Sequence, residues 1–148
     1  MKIVFFGVGA VCSVMATLLD ELSNKSKQKD INFVFVVRNI KKAQYHFFKN
    51  SNILNKSDFL EIKHFEEIFE DSKKYEKYLQ NSDIFINSST PSFNLPIMNL
   101  ALKYNTNYAD LASDIYKDEI ISTLKFDQQI LENEFKYKNL FALINFHL

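Results

Sequence analysis

The sequence predicts an α/β domain, a doubly wound parallel sheet of about six strands. Three features predict it. Short continuous apolar runs alternate with stretches whose apolar residues recur at helical spacing. The connections between them are short. Both glycines of the 148-residue chain, Gly7 and Gly9, fall between the first apolar run and the first helical stretch. Continuous apolar runs indicate strands buried on both faces, the condition of a parallel sheet covered by crossover helices.

Taken in order, Ile3 to Phe6 is the first strand, and Val11 to Leu22 is a helix with Val11, Val14, Met15, Leu18, Leu19 and Leu22 at its spacing. Ser23 to Asp30, carrying Lys25, Lys27 and Lys29, is a solvated connection. Ile31 to Val37, dense in β-branched and aromatic residues, is a buried second strand. Ile40 to Lys49 reads as a short helix, Phe59 to Phe65 as a modest strand, and Glu66 to Leu79 as a helical segment. Asp83 to Asn87 is a further strand, followed by a polar Ser-Ser-Thr-Pro turn and a helix over Leu95 to Tyr104 that tolerates Pro96 in its first turn. Asn107 to Ala112 reads as a short strand, Asp118 to Lys136 as a long amphipathic helix, and Asn139 to Phe146 as the last strand. Six strands suffice for the order 3-2-1-4-5-6, in which a dinucleotide lies across the carboxyl ends at the switch between strands 1 and 4. No linker or repeat divides the chain, so residues 1–148 read as one dinucleotide-binding domain.

Composition narrows the function classes. Eighteen basic against 18 acidic residues give zero net charge, without the electrostatic footprint of a nucleic-acid or anionic-membrane binder. One cysteine makes no internal disulfide, no apolar run approaches about 20 residues, and the opening apolar run reaches Gly7 too early for a signal-peptide core. These point to a cytoplasmic protein. The 15 Phe and 7 Tyr read as core and surface filling, since basic residues do not interleave with them. His46, His64 and His147 share no ligand spacing, so no metal site is expected. Glycine and proline number two each, so the few that occur sit where the backbone needs them.

Gly7-x-Gly9-x-x-Cys12 lies between strand and helix, the context in which a Gly-x-Gly-x-x-small pattern binds a dinucleotide in a Rossmann fold. Gly7 permits the tight turn, and Gly9 lets the backbone approach a pyrophosphate held by free amides and the helix dipole. Gly7, Gly9, Ala10 and Val11 are the candidate contacts. Cys12 takes the third glycine position and reads as a packing residue, having neither a His nor a second Cys nearby in sequence. A ligand-free glycine turn is the alternative.

Where an NAD site usually carries Asp or Glu after the second strand, this chain has Val36-Val37-Arg38-Asn39. Arg38 is the single arginine against 17 lysines. A guanidinium pairs bidentately with a 2′-phosphate and stacks on adenine, which favours NADP over NAD. Lys41 and Lys42 add charge or form a solvated helix face, and a plain surface arginine is the alternative for Arg38.

The segment Asn87-Ser-Ser-Thr-Pro-Ser-Phe-Asn-Leu-Pro96, followed by Asn107-Tyr-Ala-Asp-Leu-Ala112, resembles the saccharopine dehydrogenase-like oxidoreductases, including the carboxynorspermidine dehydrogenase branch. The glycine loop and the arginine after strand 2 belong to the same resemblance. It implies that the loop after strand 4 passes beneath the dinucleotide, so that Ser88, Ser89 and Thr90 contact cofactor, and that Asp110, Leu111 and Ala112 line the nicotinamide end. The alternatives are that Ser88 to Thr90 cap the next helix and that Asp110 ends a strand. The family often has an acidic residue at the end of strand 3, where this chain reads Glu61-Ile-Lys-His-Phe65.

The resemblance covers the amino-terminal half of such an enzyme, which implies a truncated or split chain whose substrate domain is absent. The expected function is the NADP-binding half of an oxidoreductase acting on the CH–NH bond of a secondary amine. The substrate is an amino acid or polyamine-related compound, and a complementary substrate-domain chain or a homo-oligomer is the expected partner. No residue reads as a general acid or base, so the catalytic residues are unknown and the chain alone is expected to be inactive. The alternative is a non-catalytic nucleotide-sensing Rossmann module of the kind that gates potassium transport.

Overall fold

The computed structural model describes residues 1–26, 30–111, 127 and 130–144. Its strands are β1 (Lys2–Phe6), β2 (Asn32–Val37), β3 (Ser57–Glu61), β4 (Ile84–Asn87), β5 (Asn107–Asp110) and β6 (Ala142–Leu143). All pairings are parallel and the order is β3-β2-β1-β4-β5-β6, the predicted doubly wound arrangement. The helices are α1 (Ala10–Ser26), α2 (Ile40–Tyr45), α3 (Ser51–Asn55), α4 (Glu66–Glu70), α5 (Glu76–Leu79), α6 (Asn94–Lys103) and α7 over 130–137.

Alternation along buried strands divides the core in two. Val4, Phe6, Val34, Val36, Phe85 and Tyr108 face a cluster covered by α4 to α7. Ile3, Phe5, Phe33, Phe35, Ile86 and Ala109 face a second cluster under α1, α2 and α3. Phe5 stacks on Phe35 at 5.6 Å, and Phe47 and Phe59 close on the Phe35 ring at 4.9 and 5.1 Å. Each such buried side chain contributes about 1.5–3 kcal/mol by leaving water.

Four differences from the sequence reading have physical causes. On α1, the side against the sheet is Cys12, Ala16, Asp20 and Ser23, while Val11, Val14, Leu18 and Leu22 are exposed. Small residues let the helix approach the strands beside the glycine loop, and that contact sets the rotation of the helix. Asp20 is buried and paired with Lys56, which follows α3 and ties it to α1. The third strand begins at Ser57 and ends at Glu61, so that residues 62–65 form a turn leading into α4. The segment Glu66 to Leu79 is broken at Asp71, where buried Ser72 receives Lys103 Nζ on its hydroxyl at 2.7 Å and the Tyr104 hydroxyl on its carbonyl at 3.0 Å. After Tyr45 the chain turns and re-enters a helix at Ser51, where the Asn50 side chain accepts from the Ile53 amide. Ala112, most of Asp118 to Lys136 before α7, the end of the last strand and His147 lie outside the described residues.

Candidate functional site

A cavity of about 480 Å³ opens at the carboxyl ends of β1, β2 and β4 and the turn after β3, within the ordinary range for small-molecule sites. Its floor is the glycine loop. Gly7 has φ +94°, and a Cβ there would lie 2.8 Å from Ser89 Cβ, so both backbone conformation and space demand glycine. A Cβ on Gly9 meets nothing within 4 Å. Because Gly9 lines the cavity, any side chain there would occupy the space beside the start of α1, whose first turn carries no acidic residue. The bare backbone, the amides of the first helical turn and the dipole of a 17-residue helix together fit a pyrophosphate.

The cationic wall is broader than Arg38. Arg38 at the end of β2, Lys42 on α2 and Lys63 after β3 line the same cavity. Among the described residues none of the three has a carboxylate partner. Glu66 is the one acidic residue in the lining. Glu61, closer to the end of β2, accepts the Ile40 amide at 2.8 Å while Asn39 accepts the Lys42 amide at 2.8 Å, so both are used to start α2. Lys63 and His64 were not legible as site residues, because the strand was expected to continue through Phe65. The available signal was that Lys63 and His64 follow polar Glu61 immediately before an acidic helix start.

On the opposite side, polar groups bond one another. Asn87 is fully buried; its carbonyl oxygen accepts from the Ser89 amide at 3.0 Å and the Ser89 hydroxyl at 2.8 Å. Its amide nitrogen donates to Thr90 O at 2.9 Å and to Asn94 Oδ1 at 2.6 Å. The Ser88 hydroxyl donates to Gly7 O at 2.8 Å, fastening the glycine loop to the loop after β4. Ser88, Ser89 and Thr90 all line the cavity, but the two serine hydroxyls are directed into this network. Cys12 is buried beneath it; burial pushes its thiol up to about 12 despite a hydrogen bond with Ser88. A thiol so placed is packing, not a nucleophile.

Asp110, Leu111, Ala10 and Val11 do not line this cavity. Asp110 is buried at the end of β5, where it accepts the Tyr108 hydroxyl at 3.3 Å. Burial, reinforced by the Asp110 charge, raises the Tyr108 phenol. Leu111 is half-buried and donates its amide to Asn87 O at 2.9 Å. Ala10 and Val11 are exposed at the start of α1. Among the described residues no three potential metal ligands come together, and no helix is long and apolar enough to cross a membrane.

A family model described as the saccharopine dehydrogenase NADP binding domain matches residues 3–142. No curated protein sequence matches the chain. Among solved structures, saccharopine dehydrogenase (L-Glu forming) from Saccharomyces cerevisiae is similar with a TM-score of 0.63 at 17% identity, over 97% of this chain and 26% of that one. Shikimate dehydrogenase from Mycobacterium tuberculosis is similar at 0.59 and 12% identity, over 97% and 45% of the two chains. The WlbA dehydrogenase from Chromobacterium violaceum, solved with NADH and UDP-GlcNAcA, is similar at 0.61 and 5% identity, over 98% and 34%. At these identities the likeness is one of fold, and the chain spans between 26% and 45% of the length of these structures.

Proposed function

The chain belongs to the saccharopine dehydrogenase NADP binding domain family, a family of oxidoreductase domains that bind a nicotinamide dinucleotide, and on that premise we propose that it is the NADP(H)-binding half of an enzyme acting on the CH–NH bond of a secondary amine. The single observation that carries the choice of NADP is the wall of Arg38, Lys42 and Lys63, three cations lining one cavity that have no carboxylate partner among the described residues. A 2′-phosphate accepts charge-assisted hydrogen bonds from such a wall, whereas the ribose of NAD calls for a free carboxylate beside it. Gly7 and Gly9 keep the backbone bare for the pyrophosphate, and Ser88 holds the glycine loop in register with the loop after β4.

The dinucleotide supplies the hydride. The chain's own residues bind and orient; among the described residues, none of the polar groups near β4 and β5 is placed to move a substrate proton. Asp110 and Tyr108 bond each other in the interior, and Cys12 is held as a neutral thiol. The proposed division of labour therefore gives substrate positioning, water exclusion and proton transfer to a second, substrate-binding domain, with an amino acid or polyamine-related compound as substrate. Family membership favours this reading over a nucleotide-sensing module.

Titration of NADPH and NADH against the chain, Arg38→Ala and Lys63→Gln tests the proposal. NADPH should bind more tightly, and Arg38→Ala should cost it about tenfold to a hundredfold, the value of a charge-assisted hydrogen bond, with little effect on NADH. Lys63→Gln should act in the same direction by roughly three- to tenfold. Equal affinities for the two dinucleotides in the unaltered chain would refute the NADP assignment.

A further inference from the structure

The turn after β3 is pinned to the core at both ends. Ile62, whose amide donates to Val37 O at 2.8 Å, and Phe65, whose ring meets Phe93 at 5.2 Å, are buried. Between these anchors Lys63 and His64 are exposed and line the cavity with Arg38 and Lys42. The His64 carbonyl accepts the Glu67 amide at 3.1 Å, which fixes the backbone where α4 begins. Its imidazole has no hydrogen-bond or ion-pair partner among the described residues. The permanent charges in the lining are Arg38, Lys42 and Lys63, against Glu66 on α4. The neighbouring carboxylates are already engaged: Glu61 at the end of β3 accepts the Ile40 amide at 2.8 Å, and Glu67 on α4 accepts the Tyr75 hydroxyl at 3.3 Å. From the loop after β4 the cavity receives Ser88, Ser89, Thr90 and Phe93, none of them charged. In this lining His64 is the one residue of a type that ordinarily changes charge between pH 5 and 8.

We propose that His64 is a proton-dependent selectivity residue: protonated, it is a fourth cation on the wall that holds a 2′-phosphate, so the preference for NADPH over NADH strengthens as pH falls through the neutral range. The inference rests on the NADP(H) reading of the cavity and adds a regulation to it. A neutral imidazole gives an anion one uncharged donor, whereas an imidazolium gives two donors and a charge. NADH, with a hydroxyl where NADPH has its 2′-phosphate, gains little from the same proton. The phosphate itself works in the opposite sense, since a phosphate monoester takes up a proton near pH 6 and loses one charge. Imidazole and phosphate therefore push the pH dependence in opposite directions, and its sign tells which one governs. Linkage is also reciprocal: if the proton on His64 strengthens phosphate binding, bound phosphate favours that proton by the same factor.

Calorimetric titration of NADPH and NADH at about pH 8.5 and about pH 6.5, into the chain, His64→Gln and His64→Arg, tests it. The side chain is exposed, so both variants should fold as the unaltered chain does. In the unaltered chain the ratio of the NADH to the NADPH dissociation constant should rise about fivefold at the lower pH, between the worth of an exposed ion pair and that of a charge-assisted hydrogen bond. In His64→Gln the ratio should stay flat or fall, because only the phosphate then titrates. His64→Arg should already show the high ratio at the upper pH. Nuclear magnetic resonance of the imidazole Cε1–H groups gives a second readout, with the His64 signal told from those of His46 and His147 by its loss in His64→Gln. Its titration midpoint should rise by about 0.7 of a pH unit or more with NADPH bound, the logarithm of a fivefold linkage, and stay in place with NADH. A preference for NADPH that varies with pH identically in the chain and in His64→Gln overturns this proposal and leaves the NADP assignment standing. Equal affinities for the two dinucleotides at both pH values overturn both.

Discussion

Along the carboxyl rim of the sheet, the half built from β1, β2 and the turn after β3 presents cations with no carboxylate partner among the described residues, whereas the half built from β4 and β5 spends its polar groups on itself. Gly9 and the cations Arg38, Lys42 and Lys63 face open space. Asn87, Ser88, Ser89 and Asp110 are each bonded within the protein. An unpartnered guanidinium or ammonium at a cavity wall stabilises an anionic ligand, while a buried satisfied network stabilises the fold and fixes loop positions. The first half is equipped to bind; the second is equipped to hold the first in place.

The largest effect should come at the seam between them. Gly7→Ala combines a left-handed backbone with a 2.8 Å approach to Ser89 Cβ. It should cost about 3 kcal/mol in urea unfolding, one part from the αL conformation and the rest from overpacking. Wild-type stability in this variant would break the picture of a rigidly fastened loop. Gly9→Val separates binding from folding: dinucleotide affinity should fall by about a hundredfold, some 2.7 kcal/mol, while stability changes by no more than about 1 kcal/mol, the difference between a good and a poor residue at a helix start. Calorimetric titration with a parallel thermal melt reads both, and undiminished binding would mean that the pyrophosphate does not sit on this loop.

On the satisfied half, Asn87→Ala should lower stability by about 2 kcal/mol, because Asn94 and the Ser89 amide lose buried partners. Binding should weaken only secondarily, as the loop loosens; a large loss of binding with unchanged stability would place Asn87 in the wrong half. The smallest effect concerns Cys12. With its folded-state value pushed up to about 12 from the ordinary 9.0, the unfolded thiol ionises first as pH rises. The stability it contributes is therefore whole below about pH 9 and is lost as pH climbs from there towards 12. At pH 8 iodoacetamide should leave the folded chain unmodified and label the denatured chain, and rapid labelling of folded protein would contradict the burial.

The strands were legible because each central one is a continuous run of apolar residues, a pattern that only two-sided burial supports. The glycine loop and Arg38 stood out for a compositional reason, since a chain with two glycines and one arginine shows where it uses them. Turns were less visible. Asn81, Asn105 and Asn139 take left-handed conformations at φ 56°, 55° and 55° after helices, positions that glycine usually marks. Asparagine does this at lower steric cost than other side chains, and in an asparagine-rich chain it gives little contrast.

The local pattern therefore determined element type, strand order and the place of the glycine loop, because hydrophobic period and turn chemistry act within a few residues. Tertiary structure decided which side of α1 is buried, where β3 yields to the turn bearing Lys63 and His64, and which serine hydroxyls are already used. Those outcomes depend on partners far away in sequence: Lys56 on Asp20, Ser72 beneath Lys103 and Tyr104, and the Ser88 hydroxyl on Gly7 O. A helix with apolar residues around more than half its circumference has several rotations of similar local merit, and close approach to the sheet selects the one with Cys12 and Ala16 inward, leaving its larger apolar side chains at the surface.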